Sequence, residues 1–394
     1  MLRLDHVVRD YPWGATTELE RLFGPAPGAG QMAEIWLGAH RLGSAMVASG
    51  EDDAGVSLRE VIARNPAACC GREAEPSLPF LLKVLAVADP LSLQVHPRAE
   101  LARAGYAREE AAGMAPNAPD REFKDPNPKP EMLYALGAFE ALAGFKPVDT
   151  IRRLFEPLAA HSDLARQIVA ALAADSASAL RDAVEIALAG GQSEQAAVAE
   201  LTAACRRQMG APGDDPSPYA LAVSLARRYP ADGAVAVAMM MVRVSLAPGE
   251  ALYLASGVPH SYLRGLGVEV MGPSDNVLRA GLTNKHKDVA ALIEAIDFSA
   301  AGGVRPAVVR DGPVRLLRPP TALFQLADVR VGGVAELSLP GPRIVLALEG
   351  EVTVFSELGS LHLARGQSLF AMDSEGPLTL RGKGRLVVAA PGQR

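Results

Sequence analysis

Gln94 and His96 stand two residues apart in SLQVHP, so on a β-strand both side chains leave from the same face. Far downstream, GEALYLASGVPH from Gly249 to His260 sets a second histidine just after a glycine turn between apolar runs. A lone histidine is more often packed or exposed than bound to a metal, and a lone glutamine more often faces water. Together, the two imidazoles, the amide oxygen and a carboxylate would suit a catalytic divalent metal. Glu131, opening the strand-like run EMLYAL, is the carboxylate best placed to complete the set. A neutral glutamine among the ligands leaves zinc with a single anionic partner, and so a strong Lewis acid.

The segment SDNVLRAGLTNKHKDV, Ser274 to Val289, gathers Asp275, Arg279, Lys285 and Lys287 around an apolar, glycine-containing centre. It reads either as a solvated loop leading to a helix or as a cradle for an anionic group. For the second role arginine offers a planar fork and lysine a point charge. Lys129 lies two residues before Glu131, and a cation held beside a metal is costly unless an anion binds between them. That cost favours a phosphorylated or enediolate ligand.

Three textures of sequence must position these groups. From Met1 to about Pro147 the chain is rich in Pro and Gly, and Phe80–Ala88, Leu91–Val95 and Glu131–Leu136 read as short buried strands. From about Val148 to Tyr229 it becomes Ala-rich, with apolar residues at three- and four-residue spacing, which predicts amphipathic helices whose job is to bury one face. Strand-like sequence resumes at Met239–Leu263, passes a connecting helix near Lys287–Ile296, and ends in a β-rich block from about Val304 to Arg394. Regularly spaced short strands with glycine turns predict jelly-roll barrels. The expected fold is therefore mainly β, two barrels with an inserted α-helical domain. The divisions fall at 1–147 with 231–300 for the discontinuous catalytic barrel, 148–230 for the helical insert, and 301–394 for a second barrel without metal.

At 394 residues the chain fits two or three domains. Its net charge of -6 gives no electrostatic reason to expect nucleic acid or an anionic membrane as partner. An anionic substrate must be drawn by a local basic cluster. Three cysteines, two of them the adjacent Cys69 and Cys70, make neither a disulfide framework nor a Cys-x-x-Cys metal knuckle. A reducing cytoplasm is the natural setting. The N-terminus MLRLDHVVRDYPWG lacks the apolar core of a signal peptide, and the longest apolar stretch, Gly233–Val242, is too short to span a bilayer. Pro27-Gly28-Ala29-Gly30 lacks dinucleotide-binding spacing and Gly382-Lys383 lacks the rest of a P-loop.

The Gly249–His260 segment fits the second cupin motif, with Ala255 at the usual proline position. Over nearly the whole chain the sequence resembles the type I mannose-6-phosphate isomerases. AEIWLGAH (Ala33–His40), LPFLLKVLAVADPLSLQVHP (Leu78–Pro97), KPEMLYAL with FEALAGF (Lys129–Phe145), PGEALYLASGVPHSYLRGLGVEVM and DNVLRAGLTNK occur in that family's order and spacing. The resemblance implies that Gln94, His96, Glu131 and His260 bind one Zn²⁺ and that Arg279 is the catalytic arginine. It places Trp13, Lys83, Ser92, Lys129, Tyr262, Glu269, Asp275 and Lys285 in the substrate pocket. Pro128 departs from the family, which often carries histidine there.

The implied reaction interconverts mannose 6-phosphate and fructose 6-phosphate through a cis-enediol, a proton leaving C2 and arriving at C1. Glu269, Asp275 and Lys129 are all candidates for the base, with Arg279 and Lys129 as enediolate stabilisers and Lys285 near the phosphate. A monomer handling a small sugar phosphate, without nucleic acid or membrane, is the expected state. The rival readings are a non-haem iron cupin dioxygenase and a non-catalytic sugar-binding cupin; the glutamine ligand and the several cations argue against the first.

Overall fold

A computed structural model describes residues 1–15, 17–25, 31–50, 53–72, 75–174, 176–189, 194–209, 217–300 and 302–393. The Pro27–Gly30 segment lies outside them. The chain is mainly β, as expected: two large sheets, one of ten strands and one of nine, with antiparallel pairing throughout the described ladders.

The ten-stranded sheet is built around the long strand His260–Met271, which pairs with Leu81–Val87, Glu131–Ala135 and Phe139–Phe145. Leu81–Val87 is buried at every position, because both of its faces are covered. Alternation sorts its side chains. Leu82, Val84 and Ala86 pack in a core shared with the nine-stranded sheet, against residues such as Ile344, Phe370 and Val387. Leu85 and Val87 face the interior of the ten-stranded sheet with Leu133, Ala135 and Phe139. The same rule puts Met132 and Tyr134 in the shared core and Leu133 and Ala135 inside. The charged residues Lys83, Glu131 and Glu269 thus fall in the inward-facing register of three adjacent strands.

The nine-stranded sheet carries most of the C-terminal block, with Gln325–Leu337, Leu378–Ala390 and Arg343–Ser356 side by side. The N-terminal strand Leu2–Asp5 also belongs here, pairing with Ser368–Ala371 and with Met46–Val47. The first residues of the chain therefore tie the two sheets together.

Between Phe139–Phe145 and Met241–Leu246, paired strands of the ten-stranded sheet, run six α-helices among the described residues, from Val148–Phe155 to Ala234–Met240. Ser162 and Ser217 cap two of them by accepting a backbone N–H three residues on. Their apolar faces bury Leu93, Val95, Leu278 and Leu282, so the helices also back the strands that carry the site. One boundary differs from the sequence reading: Met239 and Met240 end a helix, and the strand starts at Met241. Ala234–Met240 is buried on every side, and a segment with no exposed face has no period to read.

Candidate metal centre and active site

The inward face of the ten-stranded sheet lines a cavity of about 500 Å³. Trp13, Lys83, Ser92, Gln94, Lys129, Glu131, Tyr262, Glu269, Asp275, Arg279 and Lys285 all contribute to its wall. His96 and His260 lie behind that wall, 2% and 1% exposed. The structure thus brings together the residues singled out from the sequence except Lys287, which lies outside the wall, 3.7 Å from Asp232.

Strand pairing explains how. His260 is opposite Gln94, Gln94 is opposite Arg279, and Met271 is opposite Glu131. His96 Nε2 stands 3.1 Å from Glu131 Oε1, and His260 Nε2 stands 3.3 Å from Glu131 Oε2. The three potential ligand atoms lie within 4.8 Å of one another.

Proton placement tests whether a metal fits. His96 Nδ1 is 2.6 Å from the carbonyl of Asn276, and His260 Nδ1 is 3.0 Å from the carbonyl of Val258. A carbonyl only accepts, so each Nδ1 carries the hydrogen and each Nε2 presents a lone pair. Burial, and then the charge of Lys129, pushes the His96 imidazolium down to about 4, which keeps the ring neutral. Burial alone would raise Glu131, yet the Lys129 ammonium beside it holds its carboxyl well below the usual range. The His96 lone pair therefore faces an anion that can only accept, with His260 Nε2 at that anion's other oxygen. His96 Nε2 and Glu131 Oε2 are buried without a hydrogen bond. Such an arrangement is costly unless a cation sits among the four atoms.

Gln94 completes the set. Its Nε2 lies 3.4 Å from His260 Nε2, and its Oε1 accepts from Ser92 Oγ at 3.0 Å. The two ends of an amide have the same shape. Turned over, Gln94 would present its oxygen toward His260 Nε2 while its NH₂ donated to Ser92.

Cations crowd the same wall. Lys129 Nζ is 3.1 Å from Glu131 Oε1, and Lys83 Nζ is 3.3 Å from Glu269 Oε2. Burial would lower Lys83, but Glu34, Glu269 and Glu131 override it and raise it above the ordinary lysine value. Burial, then the nearby Glu131 charge, raises Glu269. Burial and the Glu269 charge raise the Tyr262 phenol. At the mouth, Asp275 pairs with Arg41 at 2.7 Å and lies 3.5 Å from His40. Trp13 stacks on Tyr11 with ring centres 5.7 Å apart, and Lys285 Nζ lies 6.0 Å from the Tyr11 ring. The result is a concave site with a buried metal-ligand set at depth and cations toward the opening, suited to a small polar anion.

Two residues that hold the site escaped sequence reasoning. Asn276 is fully buried, and its side chain binds Lys124 N, Asp125 N, Asp125 O and Asn127 O at 2.7–3.2 Å. Its own carbonyl orients His96. Glu122 is 5% exposed and 3.8 Å from His286, and its carboxyl is pushed up to about 7 by burial, with Arg279 and His286 pulling the other way. Asn276 sits in the quoted DNVLRAG run, but nothing in the spacing marks a tether to residues some 150 positions earlier.

Comparison with known proteins agrees with this geometry. Residues 1–148 match the family model of the phosphomannose isomerase type I catalytic domain. The chain is 34% identical to the mannose-6-phosphate isomerase of Escherichia coli (strain K12) over 98% of both chains. It is 32% identical to that of Rattus norvegicus over 93% of this chain and 92% of the other. A Salmonella typhimurium mannose 6-phosphate isomerase structure, bound to its substrate fructose 6-phosphate and to zinc, superposes with a TM-score of 0.89 at 33% identity, covering 100% of both chains.

Proposed function

The chain belongs to the type I phosphomannose isomerase family, and on that premise we propose how its own residues serve the reaction. It is a zinc-dependent aldose–ketose isomerase that interconverts mannose 6-phosphate and fructose 6-phosphate. The observation that carries this reading is the pair of imidazole Nε2 atoms aimed at buried Glu131 beneath a cation-lined cavity.

Gln94, His96, Glu131 and His260 hold one zinc ion. When bound, the ion supplies Lewis acidity that polarises the sugar's oxygens. Lys129 and Arg279 face the same oxygens and stabilise the charge of the enediolate as the C2 proton leaves. Lys285, with Trp13 and Ser92, holds the phosphate end and the sugar at the mouth. Lys83 fixes the Glu269 carboxylate, with Tyr262 alongside.

All three possible bases are ion-paired, Asp275 with Arg41, Lys129 with Glu131 and Glu269 with Lys83. Glu269 is the carboxylate moved upward toward neutrality, which suits a group that takes a proton from C2 and returns it to C1. The helical block at 148–230 serves as a structural insert beside the catalytic sheet, and 301–394 as a second β domain without metal ligands.

Cys69, Cys70 and Cys205 are free and buried, which supports a reducing cytoplasmic setting. Among the described residues no helix is long and apolar enough to cross a membrane. The reading carries a monomer acting on a small molecule, which size-exclusion with light scattering tests. For the activity itself, a coupled isomerase assay before and after chelation is decisive. Turnover should vanish with the metal and return with zinc. Undiminished turnover in protein shown to be metal-free would overturn the reading.

A further inference from the structure

Two pairs of arginines oppose one another in the nine-stranded sheet. Arg310 is directly opposite Arg315, and Arg330 is directly opposite Arg385. Directly opposed side chains share a sheet face, and like charges so placed repel. Arg315 is in turn opposite Asp328, two residues from Arg330, so all four arginines project from one face. They line a cavity of about 350 Å³ with Tyr134 of the other sheet and Gly249 of the turn before Ala251–Leu254.

Arg385 is neutralised by Asp328 and by Glu349, 3.5 Å from its Nη1, but the charges of Arg310, Arg315 and Arg330 are not cancelled. Asp328 is the one carboxylate among the lining residues, and it is already engaged: its Oδ1 accepts from Arg385 Nε at 2.8 Å and its Oδ2 from Tyr134 Oη at 2.7 Å. Arg315 donates from Nη1 to the Gly249 carbonyl, while its Nε is buried without a partner. Arg310 and Arg330 are exposed, and no carboxylate among the described residues pairs with either. This surplus of positive charge, gathered by strand register around a concavity, is the inverse of ordinary surface design.

We infer that this cavity is a second ligand site, taking a phosphoryl group as inorganic phosphate or as a phosphate or diphosphate ester. Arginine forks match such oxyanions in geometry as well as charge. The site is separate from the isomerase cavity. Tyr134 lies three residues along the strand from Glu131 but on the opposite face, in the core shared by the sheets. The inference does not rest on the catalytic assignment.

The test is calorimetric titration of the zinc-loaded protein with inorganic phosphate and, in a second arm, with ADP. Wild type, Lys285→Ala and the double variant Arg310→Gln/Arg330→Gln are compared. A binding event should survive Lys285→Ala and weaken about tenfold or more in the double variant. Tighter ADP than phosphate binding would mark a diphosphate ester as the ligand class, and equal binding a single phosphoryl group. Unchanged affinity in the double variant, or loss of all binding in Lys285→Ala, overturns the inference. Without ligand, the double variant should unfold no lower than wild type, because two like-charge pairs are relieved. If it does not fold, exposed Arg330→Gln alone carries the same comparison.

Discussion

Asp232, at the edge of the helical block, accepts a hydrogen bond from the backbone N–H of Leu282 at 2.7 Å. Leu282 has φ +56°, the single non-glycine residue with positive φ among those described, and lies three residues past Arg279. The other Asp232 oxygen takes the N–H of Ala234 at 3.0 Å and lies 3.7 Å from Lys287 Nζ. A β-carbon on Gly281 would come within 2.2 Å of that oxygen, so glycine is what lets the strand approach. The insert thus clamps the loop between Arg279 and Lys285 in an uncommon backbone conformation.

Removing the clamp with Asp232→Ala leaves two buried N–H groups unpaired, at a cost of about 1–3 kcal/mol each. We expect a lower unfolding midpoint and reduced kcat/KM with zinc content unchanged, and partial recovery in Asp232→Asn, which keeps an acceptor. Wild-type kcat/KM in Asp232→Ala would show that the loop holds itself.

What the sequence reveals and what it hides divides along the range of the contacts. Lys83, Glu131 and Glu269 are readable as inward groups because a two-residue period carries across three strands. The ligand set is readable because its motifs are short and local. Met239–Met240 are not, since burial on all sides erases the helical period. The pairing of Leu2–Asp5 with Ser368–Ala371 and the clamp from Asp232 to Leu282 depend on register between distant segments, which no local pattern encodes. Asn276 is hidden for another reason: its carbonyl, an atom every residue has, is what meets His96.

Asn276 should govern zinc affinity without touching zinc. Its side chain ties down residues 124–127, and its carbonyl fixes the tautomer and tilt of His96. Losing an outer partner of a metal-bound histidine typically weakens affinity about 10–100-fold. Asn276→Ala should fall in that range in a chelator competition. An unchanged zinc dissociation constant would mean that backbone packing alone sets the ring.

Glu122 gives a pH signature. Its carboxyl is raised from 4.5 to about 7 in the folded chain, chiefly by burial. Between those values the folded state holds a proton that the unfolded chain has released, so stability from this group is full below about 4.5 and declines as pH rises toward 7. Glu122→Gln cannot ionise. The unfolding midpoint of wild type minus that of Glu122→Gln should fall steadily across this window, the subtraction cancelling other titrating groups. A difference that stays flat from pH 4.5 to 7 contradicts a raised carboxyl.

Arg279 lies opposite Gln94 on the neighbouring strand, so its guanidinium is carried over the same cavity wall as Gln94 and Glu131. Its one described hydrogen bond is weak, from Nη1 to the Val277 carbonyl at 3.5 Å. Burial lowers its pKa and Glu122 opposes that shift, so the charge is partly desolvated and its fork is not consumed by a strong protein partner. A group so placed is available to charge that develops on the substrate, and deleting one such donor commonly costs about 2.7–4 kcal/mol of barrier. Arg279→Ala should therefore lower kcat about 10²–10³-fold while keeping zinc. Arg279→Lys should recover little, because a point charge cannot reproduce a planar fork. If kcat in Arg279→Ala stays near wild type, the arginine serves binding alone and enediolate stabilisation must fall to Lys129.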